Sequence, residues 1–172
     1  NCVVAVSFAA GLPALAATGQ PAPAPARGLP DNQISPLSLS MLRAGEGQLA
    51  AGQTAQAMDS FESALAADPR NLQAWLGMAR TAEAQGLPGK AVRYYREALA
   101  IDPNDVQVLA LQGNVLVERG AKARAEANLD RIRKLCTAPC APADKLAAAI
   151  ARGPAQTTTA AATTPAEPAA NN

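Results

Sequence analysis

The chain of 172 residues contains no histidine and very few aromatic residues. Histidine is the commonest general base and the commonest metal ligand in proteins, so its absence argues against most hydrolytic and metal-dependent chemistry. Aromatic residues make up only 3% of the sequence, whereas hydrophobic residues, many of them alanine, reach 49%. Small apolar side chains favour closely packed helices over a sheet core. The composition therefore favours an all-α protein, and we expect no catalytic activity, cofactor or metal.

The sequence also lacks an excess of charge of either sign, since 15 Lys and Arg residues stand against 14 Asp and Glu residues. Proteins that bind nucleic acid usually carry a strong positive charge, because most of their affinity comes from the phosphates. Nucleic acid is therefore not an expected partner. At this length the chain is expected to form one domain of modest size.

The first 17 residues are apolar and uncharged, and they end in small side chains. This pattern is typical of the hydrophobic and cleavage regions of a secretory signal peptide whose first residues are missing here. Pro13 and a length below about 20 residues argue against a membrane-spanning helix, and a buried core helix is the alternative. A lipid anchor on Cys2 is disfavoured because the apolar run follows this cysteine. We expect cleavage near Ala16 or Ala17 and a periplasmic or secreted mature chain without a membrane span.

Two segments lack the apolar periodicity of folded structure. Residues 18–35 are rich in Pro and Ala and predict an extended linker. Residues 153–172 consist mainly of Thr, Ala, Pro and Asn with the single charge of Glu167, and they predict a disordered tail. The folded domain is expected between them, over residues 36–152.

Within this domain several landmarks recur 34 residues apart, as from residue 57 to residue 91. Ala57, Phe61, Ala64 and Pro69 correspond to Ala91, Tyr95, Ala98 and Pro103, and a third, less regular copy retains Gly120, Ala125 and Leu129. Units of this size cannot bury their apolar faces alone and must stack on their neighbours. The period therefore predicts a repeat protein.

Helix boundaries follow from proline and capping residues. Ser35 is expected to cap the first helix, with Pro36 at its first position. The second and fourth helices are expected to end before Asp-Pro pairs at residues 68–69 and 102–103, since proline cannot continue a helix. Asn71 is expected to cap the third helix. Six helices in three pairs result, and a short capping helix is predicted over 142–152.

The landmarks resemble the tetratricopeptide repeat, whose signature combines Trp-x-x-Leu-Gly-x-x-Tyr, Ala-x-x-x-Phe and Pro with a period of 34. The second copy matches best, with Trp75, Ala91, Tyr95 and Pro103, whereas Thr137 stands where the third copy should have proline. The resemblance implies a right-handed α-solenoid of three helix-turn-helix repeats, at about 38–71, 72–105 and 106–137, plus the C-terminal capping helix. It also implies that the large aromatic residues Trp75 and Tyr95 lie in the core.

Members of this family bind protein partners in a concave groove that is lined by the inner helix of each repeat. The matching positions here are Leu39, Leu42, Glu46 and Leu49 in the first repeat, Gln73, Leu76, Arg80 and Glu83 in the second, and Gln107, Ala110, Asn114 and Val117 in the third. The first third of this surface is apolar, which favours a peptide or helix with an apolar anchor, contributed by a partner in an envelope complex. Alternatively, these leucines pack against the N-terminal segment. Leu42 and Glu46 replace the cation and the amide with which some members bind a C-terminal carboxylate.

Cys136 and Cys140 are the only cysteines left after removal of a signal peptide. In an oxidising compartment such a pair predicts a structural disulfide. Free thiols and a redox-active pair are alternatives, and the latter would make the protein a thiol-redox or chaperone accessory. Redox motifs normally have two residues between the cysteines, whereas three lie here. Because a helical stack has open ends, a homodimer is also considered.

Overall fold

The computed structural model describes residues 33–137 and 139–154, and these ranges contain seven α-helices and no strand. The helices are α1 Pro36–Ala50, α2 Thr54–Ala67, α3 Leu72–Ala84, α4 Pro88–Ile101, α5 Val106–Glu118, α6 Lys122–Leu135 and α7 Ala141–Arg152. The protein thus has the all-α helical repeat fold that the sequence predicts. The expected signal peptide, nearly all of the linker and most of the tail lie outside the described residues.

The helices stack in chain order. α1 packs against α2, α3 against α4 and α5 against α6, and each pair also contacts the next one. α7 contacts both α5 and α6, so it covers the C-terminal end of the stack. The ends predicted for the second and fourth helices agree with those of α2 and α4, whereas the capping helix begins one residue earlier than expected, at Ala141.

The two helices of each pair are joined by a turn that requires glycine. Gly52, Gly86 and Gly120 have φ angles of 74°, 68° and 71°. This left-handed conformation is strained for residues with a β-carbon and is common just after a helix. The recurrence of glycine at these three positions is therefore explained by backbone geometry.

The side-chain cap expected at Asn71 is present, and Asp105, 34 residues later, caps α5 in the same way. Asn71 Oδ1 accepts a hydrogen bond from Ala74 N at 3.2 Å, and Asp105 Oδ1 accepts one from Gln107 N at 2.8 Å. The expected side-chain cap at Ser35 is wrong, because the Ser35 side chain makes no capping bond. Instead the Ser35 backbone N–H donates to Asp68 Oδ2 at 3.0 Å. The start of α1 is thus held by the turn that precedes α3.

Buried polar groups strengthen this attachment. Ser38 Oγ donates to the Ala64 carbonyl at 2.7 Å and accepts from Asn71 Nδ2 at 2.8 Å. Asp68, which is only 4% exposed, also accepts hydrogen bonds from the backbone and side chain of Arg70. The Arg70 side-chain bond and the Ser35 N–H lower the pKa of Asp68 to about 2. α1 is therefore joined to α2 and to the turn between α2 and α3 by polar as well as apolar contacts.

The residues that recur with the 34-residue period form the core. Ala57, Ala91, Ala125, Phe61 and Tyr95 have no exposed surface at all. The alanines allow neighbouring helices to approach closely, and the larger side chains fill the remaining space. Repetition in the sequence thus corresponds to burial in the fold.

Trp75 departs from this rule. It is only partly buried and lies where two apolar clusters meet, one centred on α2 and the other on α4 and α5. Its ring packs against Tyr94, with the ring centroids 6.2 Å apart, and its Nε1 donates to the Pro69 carbonyl at 3.3 Å. Trp75 thus packs against the core at its edge and is not enclosed by it, whereas Tyr95 is fully buried as expected.

Candidate functional site: the inner-helix surface and its C-terminal cleft

The predicted groove residues lie on α1, α3 and α5, the first helix of each pair. Leu42, Leu76, Ala110 and Val117 are less than 9% exposed and pack into the core. The exposed members are Leu39, Glu46, Gln73, Arg80, Glu83 and Gln107, with Leu49 and Asn114 partly buried. We call these eight residues the groove surface. The four buried residues support it from below.

This distribution makes the groove surface more polar than the sequence indicates. Leu39 is 37% exposed and Leu49 is partly buried, so the apolar part of the surface is confined to α1. Leu42 contributes to the core cluster around Phe61 and is not accessible to a partner. An apolar anchor would therefore find its contacts at the N-terminal end alone.

One position shows how the three repeats differ on this surface. Glu46, Arg80 and Asn114 are spaced by 34 residues and place an acid, a cation and an amide at equivalent points of α1, α3 and α5. Packing imposes no common residue here, because Glu46 and Arg80 are exposed. The residue at this position of the groove surface thus differs from repeat to repeat, whereas the core residues recur.

Glu83 connects the groove surface to the core. The buried Tyr95 hydroxyl donates a hydrogen bond to Glu83 Oε1. Although Glu83 as a residue is exposed, desolvation of its carboxylate raises its pKa, and so does the nearby Glu118, while the Tyr95 hydrogen bond and Arg80 act in the opposite direction. Burial and the Glu83 carboxylate also raise the pKa of Tyr95. Glu83, Glu118 and Arg80 therefore form one electrostatic group between α3 and α5.

A cleft of about 880 Å³ lies at the C-terminal end of this surface, between α5 and α7. Its lining residues are Asn114, Val117 and Glu118 from α5, Lys145, Ala148, Ala149 and Arg152 from α7, and Gly153 and Pro154 beyond it. Sequence reasoning missed the two cations, because α7 lies outside the repeat and had no matching inner-helix position. Their spacing of seven residues was the available signal, since it places them on one side of a helix.

α7 is held in place by a close fit to α5. Leu146 is fully buried, and a β-carbon built on Gly113 would stand 2.6 Å from Leu146 Cδ2. The chain enters α7 through Cys136 and Cys140, whose Cα atoms are 6.0 Å apart and whose sulfur atoms are within bonding distance. Cys140 occupies the N-cap position of α7. The position of α7, and with it the cleft, depends on these contacts.

Comparison with protein families identifies the repeat. The tetratricopeptide repeat family matches residues 48–115, which run from α1 into α5. A comparison with curated protein sequences found no significant match. Within 33–137 and 139–154, no helix combines the length and apolar character that a membrane crossing requires.

Solved structures show the same fold at low sequence identity. The tetratricopeptide domain of P58(IPK) is 23% identical with a TM-score of 0.59, and the match covers 67% of this chain but only 32% of that one. The first such domain of Spaghetti (RPAP3), bound to the HSP90 peptide SRMEEVD, is 16% identical with a TM-score of 0.61, covering 67% and 91%. The Yersinia enterocolitica type III secretion chaperone SycD, in complex with a peptide of the translocator YopD, is 20% identical with a TM-score of 0.58, covering 70% and 92%. Another SycD structure is described as an alternative dimer.

The repeat spacing, the helix pairs and the family match agree. Residues 48–115 match the tetratricopeptide repeat family, and the described part of the chain has the fold of solved tetratricopeptide domains. Proteins of this family are generally non-catalytic, and the fold supports a scaffold for protein–protein interaction.

Proposed function

We propose that this protein is a non-catalytic scaffold that binds a peptide or helix of an envelope-complex partner on its groove surface. The observation that carries the proposal is the separation of repeated from non-repeated residues. Landmarks such as Ala57 and Ala91 are fully buried, whereas Glu46 and Arg80 differ between repeats and are exposed. Exposed residues that packing does not require are available for recognition.

Two of the structural neighbours support a peptide as the bound form of the partner. The SycD and RPAP3 structures are both described as peptide complexes. In this chain the exposed Leu39 offers an apolar contact at one end, and polar side chains follow on α3 and α5. An extended peptide or an amphipathic helix with one apolar anchor suits that arrangement.

The periplasm or the cell exterior is the proposed location. The apolar first 17 residues carry this part of the proposal, and they lie outside the described residues. The close approach of Cys136 and Cys140 supports it, since disulfides persist mainly in oxidising compartments. Detection of the protein in a periplasmic extract with a new N-terminus near Ala16 or Ala17 is the expected result. Recovery of an uncleaved chain from the cytosol alone would contradict this location.

Partner capture from an envelope extract tests the groove surface. Arg80→Glu and Leu39→Asp change exposed residues of α3 and α1, and we expect both to reduce recovery of a specific partner. Leu42 is a poor choice because its side chain is buried and a charge there would unfold the domain. Arg96→Glu, an equal charge change on the exposed side of α4, serves as the control. Equal recovery with all three variants would contradict binding at the groove surface.

A thiol-redox function is the second candidate. Its supporting observation is the place of Cys140 at the N-cap of α7, since a helix N-terminus lowers a thiol pKa. A reduction potential below about −300 mV, typical of structural disulfides, would exclude this function. A potential near those of known oxidoreductases, about −120 to −270 mV, would support it.

Self-association is compatible with the scaffold proposal. Within the described residues the stack begins at α1, whose Leu37 is 59% exposed, and an exposed apolar side chain at this end suits a contact between two copies. Light scattering of the purified protein should then give twice the monomer mass. A monomer mass over the whole accessible concentration range would rule the homodimer out.

A further inference from the structure

The cleft between α5 and α7 has properties that the repeat pattern does not explain. Lys145 and Arg152 both line it and stand two turns apart on α7. Among the described residues, no carboxylate lies within ion-pair distance of either cation. Two cations on one wall of a cleft therefore have no acidic partner in this part of the chain.

The opposite wall contributes an acceptor. The Oδ1 atom of Asn114 is buried, and no group in the described ranges donates a hydrogen bond to it. A buried acceptor without a donor costs about 1–3 kcal/mol, so such groups usually indicate a missing partner. Asn114 lies on the groove surface and also lines the cleft, so a rotation of its side chain would present Oδ1 to a ligand that follows the groove surface.

We propose that the cleft binds an Asp or Glu side chain within an extended segment of the partner, with Lys145 and Arg152 on its carboxylate and Asn114 Oδ1 on a peptide N–H. This inference rests on the proposed function, because it assumes that a peptide occupies the groove surface. A single acidic residue provides both groups, since its backbone N–H and its carboxylate are only a few bonds apart. Paired cations favour carboxylates, and amide oxygens accept from N–H donors.

Glu118 limits the charge that the cleft accepts. It lines the cleft beside Asn114, so the three charged lining residues have a net charge of +1. Its negative charge also raises the pKa of Glu83 on α3. The cleft should therefore accept one acidic side chain and disfavour a run of several. The rest of the peptide would continue toward Arg80 and Glu46.

Selection from a random library of 12-residue peptides tests this specificity. The peptides are displayed at the N-terminus of a phage coat protein, so they have no free C-terminus and any carboxylate comes from a side chain. The bait is the full chain. We expect enrichment of peptides with one Asp or Glu at a fixed position, and selection against Lys145→Glu/Arg152→Glu should lose that preference.

Affinity measurements on the enriched peptides complete the test. Fluorescence anisotropy should show about tenfold weaker binding to Lys145→Glu/Arg152→Glu, and the binding to the unsubstituted chain should weaken with added salt. Arg124→Glu/Lys134→Glu changes the charge equally on the exposed side of α6 and should bind like the unsubstituted chain. Circular dichroism confirms that both variants keep their helices.

Failure of the inference and failure of the proposed function give different results. If no peptide is enriched at all, binding at the groove surface is contradicted. If peptides are enriched without a preferred acid, or if both double variants bind them equally, the acid-binding cleft alone is contradicted. Arg80→Glu tests the groove surface separately, because it should weaken the binding of all enriched peptides, whether or not they carry the acidic residue.

Discussion

The ring of Phe61 lies against the backbone of Gly45, so that a β-carbon built on Gly45 would stand 2.7 Å from Phe61 Cε1. Gly77 faces the same ring from α3 at a similarly short approach. Phe61 has no exposed surface, and the ring is enclosed on all sides. α1, α2 and α3 therefore meet at this ring, and the residues of α1 and α3 that face it must be glycine.

Substitution of Gly45 should destabilise the fold. In Gly45→Ala the new methyl group would overlap the Phe61 ring, which has no free space to move into, and overpacking of this kind costs about 1–3 kcal/mol. Gly47→Ala is the matched control in the same helix, because no atom lies within 4 Å of a β-carbon built there. It should stabilise the protein by about 0.5–1 kcal/mol. Urea unfolding measures both, and equal shifts in the two variants would disprove the close packing around Phe61.

Loss of the Asp68 carboxylate should destabilise the protein at neutral pH. Asp68→Asn weakens the hydrogen bonds that Ser35 and Arg70 donate to the carboxylate. Hydrogen bonds to a charged group contribute about 1.5–3 kcal/mol each. Because folding lowers the pKa of Asp68 to about 2 from 3.8, the stabilisation is complete above pH 4 and is lost as the pH falls toward 2. The difference between the unsubstituted chain and Asp68→Asn should disappear over this interval.

Asp102 provides the control for that titration. It stands 34 residues after Asp68, is exposed, and accepts one hydrogen bond from Asn104 N at 3.0 Å. Asp102→Asn should therefore change the unfolding midpoint much less than Asp68→Asn at pH 7. An equal effect of both substitutions would show that the buried hydrogen bonds of Asp68 do not stabilise the protein beyond what an Asp in this turn contributes.

Neutralising Glu83 should not destabilise the protein at neutral pH, in contrast to neutralising Asp68. Its pKa is raised above 4.5, chiefly by burial, so the folded state favours the protonated carboxyl and stability increases as the pH falls through the folded pKa. Gln keeps an acceptor for the Tyr95 hydroxyl without the charge. Glu83→Gln should thus be at least as stable as the unsubstituted chain at pH 7, and the two should converge below about pH 4. Thermal melts across this pH range test the prediction, with exposed Glu62→Gln as the control, and a variant that is less stable at pH 7 would contradict it.

A disulfide between Cys136 and Cys140 should stabilise the C-terminal end of the stack. Closing so short a loop contributes about 2 kcal/mol on the chain-entropy model. In a chain that carries Cys2→Ser, the unfolded and unreduced protein should show no free thiol by Ellman titration. Reduction should then lower the melting temperature of this chain but not that of one with both remaining cysteines changed to serine. Two free thiols before reduction would exclude the disulfide.

The sequence predicts most of the core because packing imposes the same residue at the same point of each repeat. Ala57, Ala91 and Tyr95 are fully buried as expected, and the bounds of α2 and α4 agree with the Asp-Pro stops. Periodicity reports such positions directly, since a repeated residue has a repeated neighbour. It says nothing about positions where the neighbour changes.

The mismatches follow from that limit. Ser35 does not cap its helix with its side chain, and its backbone N–H donates instead to Asp68, 33 residues further along the chain. Lys145 and Arg152 were not predicted at the groove because α7 falls outside the period. Both features occur only once in the stack, so the 34-residue period does not report them.

The fluorescence of the half-buried Trp75 should report a change in the angle between the first and second repeats. It is the single tryptophan of the chain and stands at the junction of the two apolar clusters, beside Tyr94. Any flexing of the first repeat relative to the second would change the water contact of its indole and so the wavelength of its emission. A change in the curvature of the stack can therefore be followed by fluorescence without an added label.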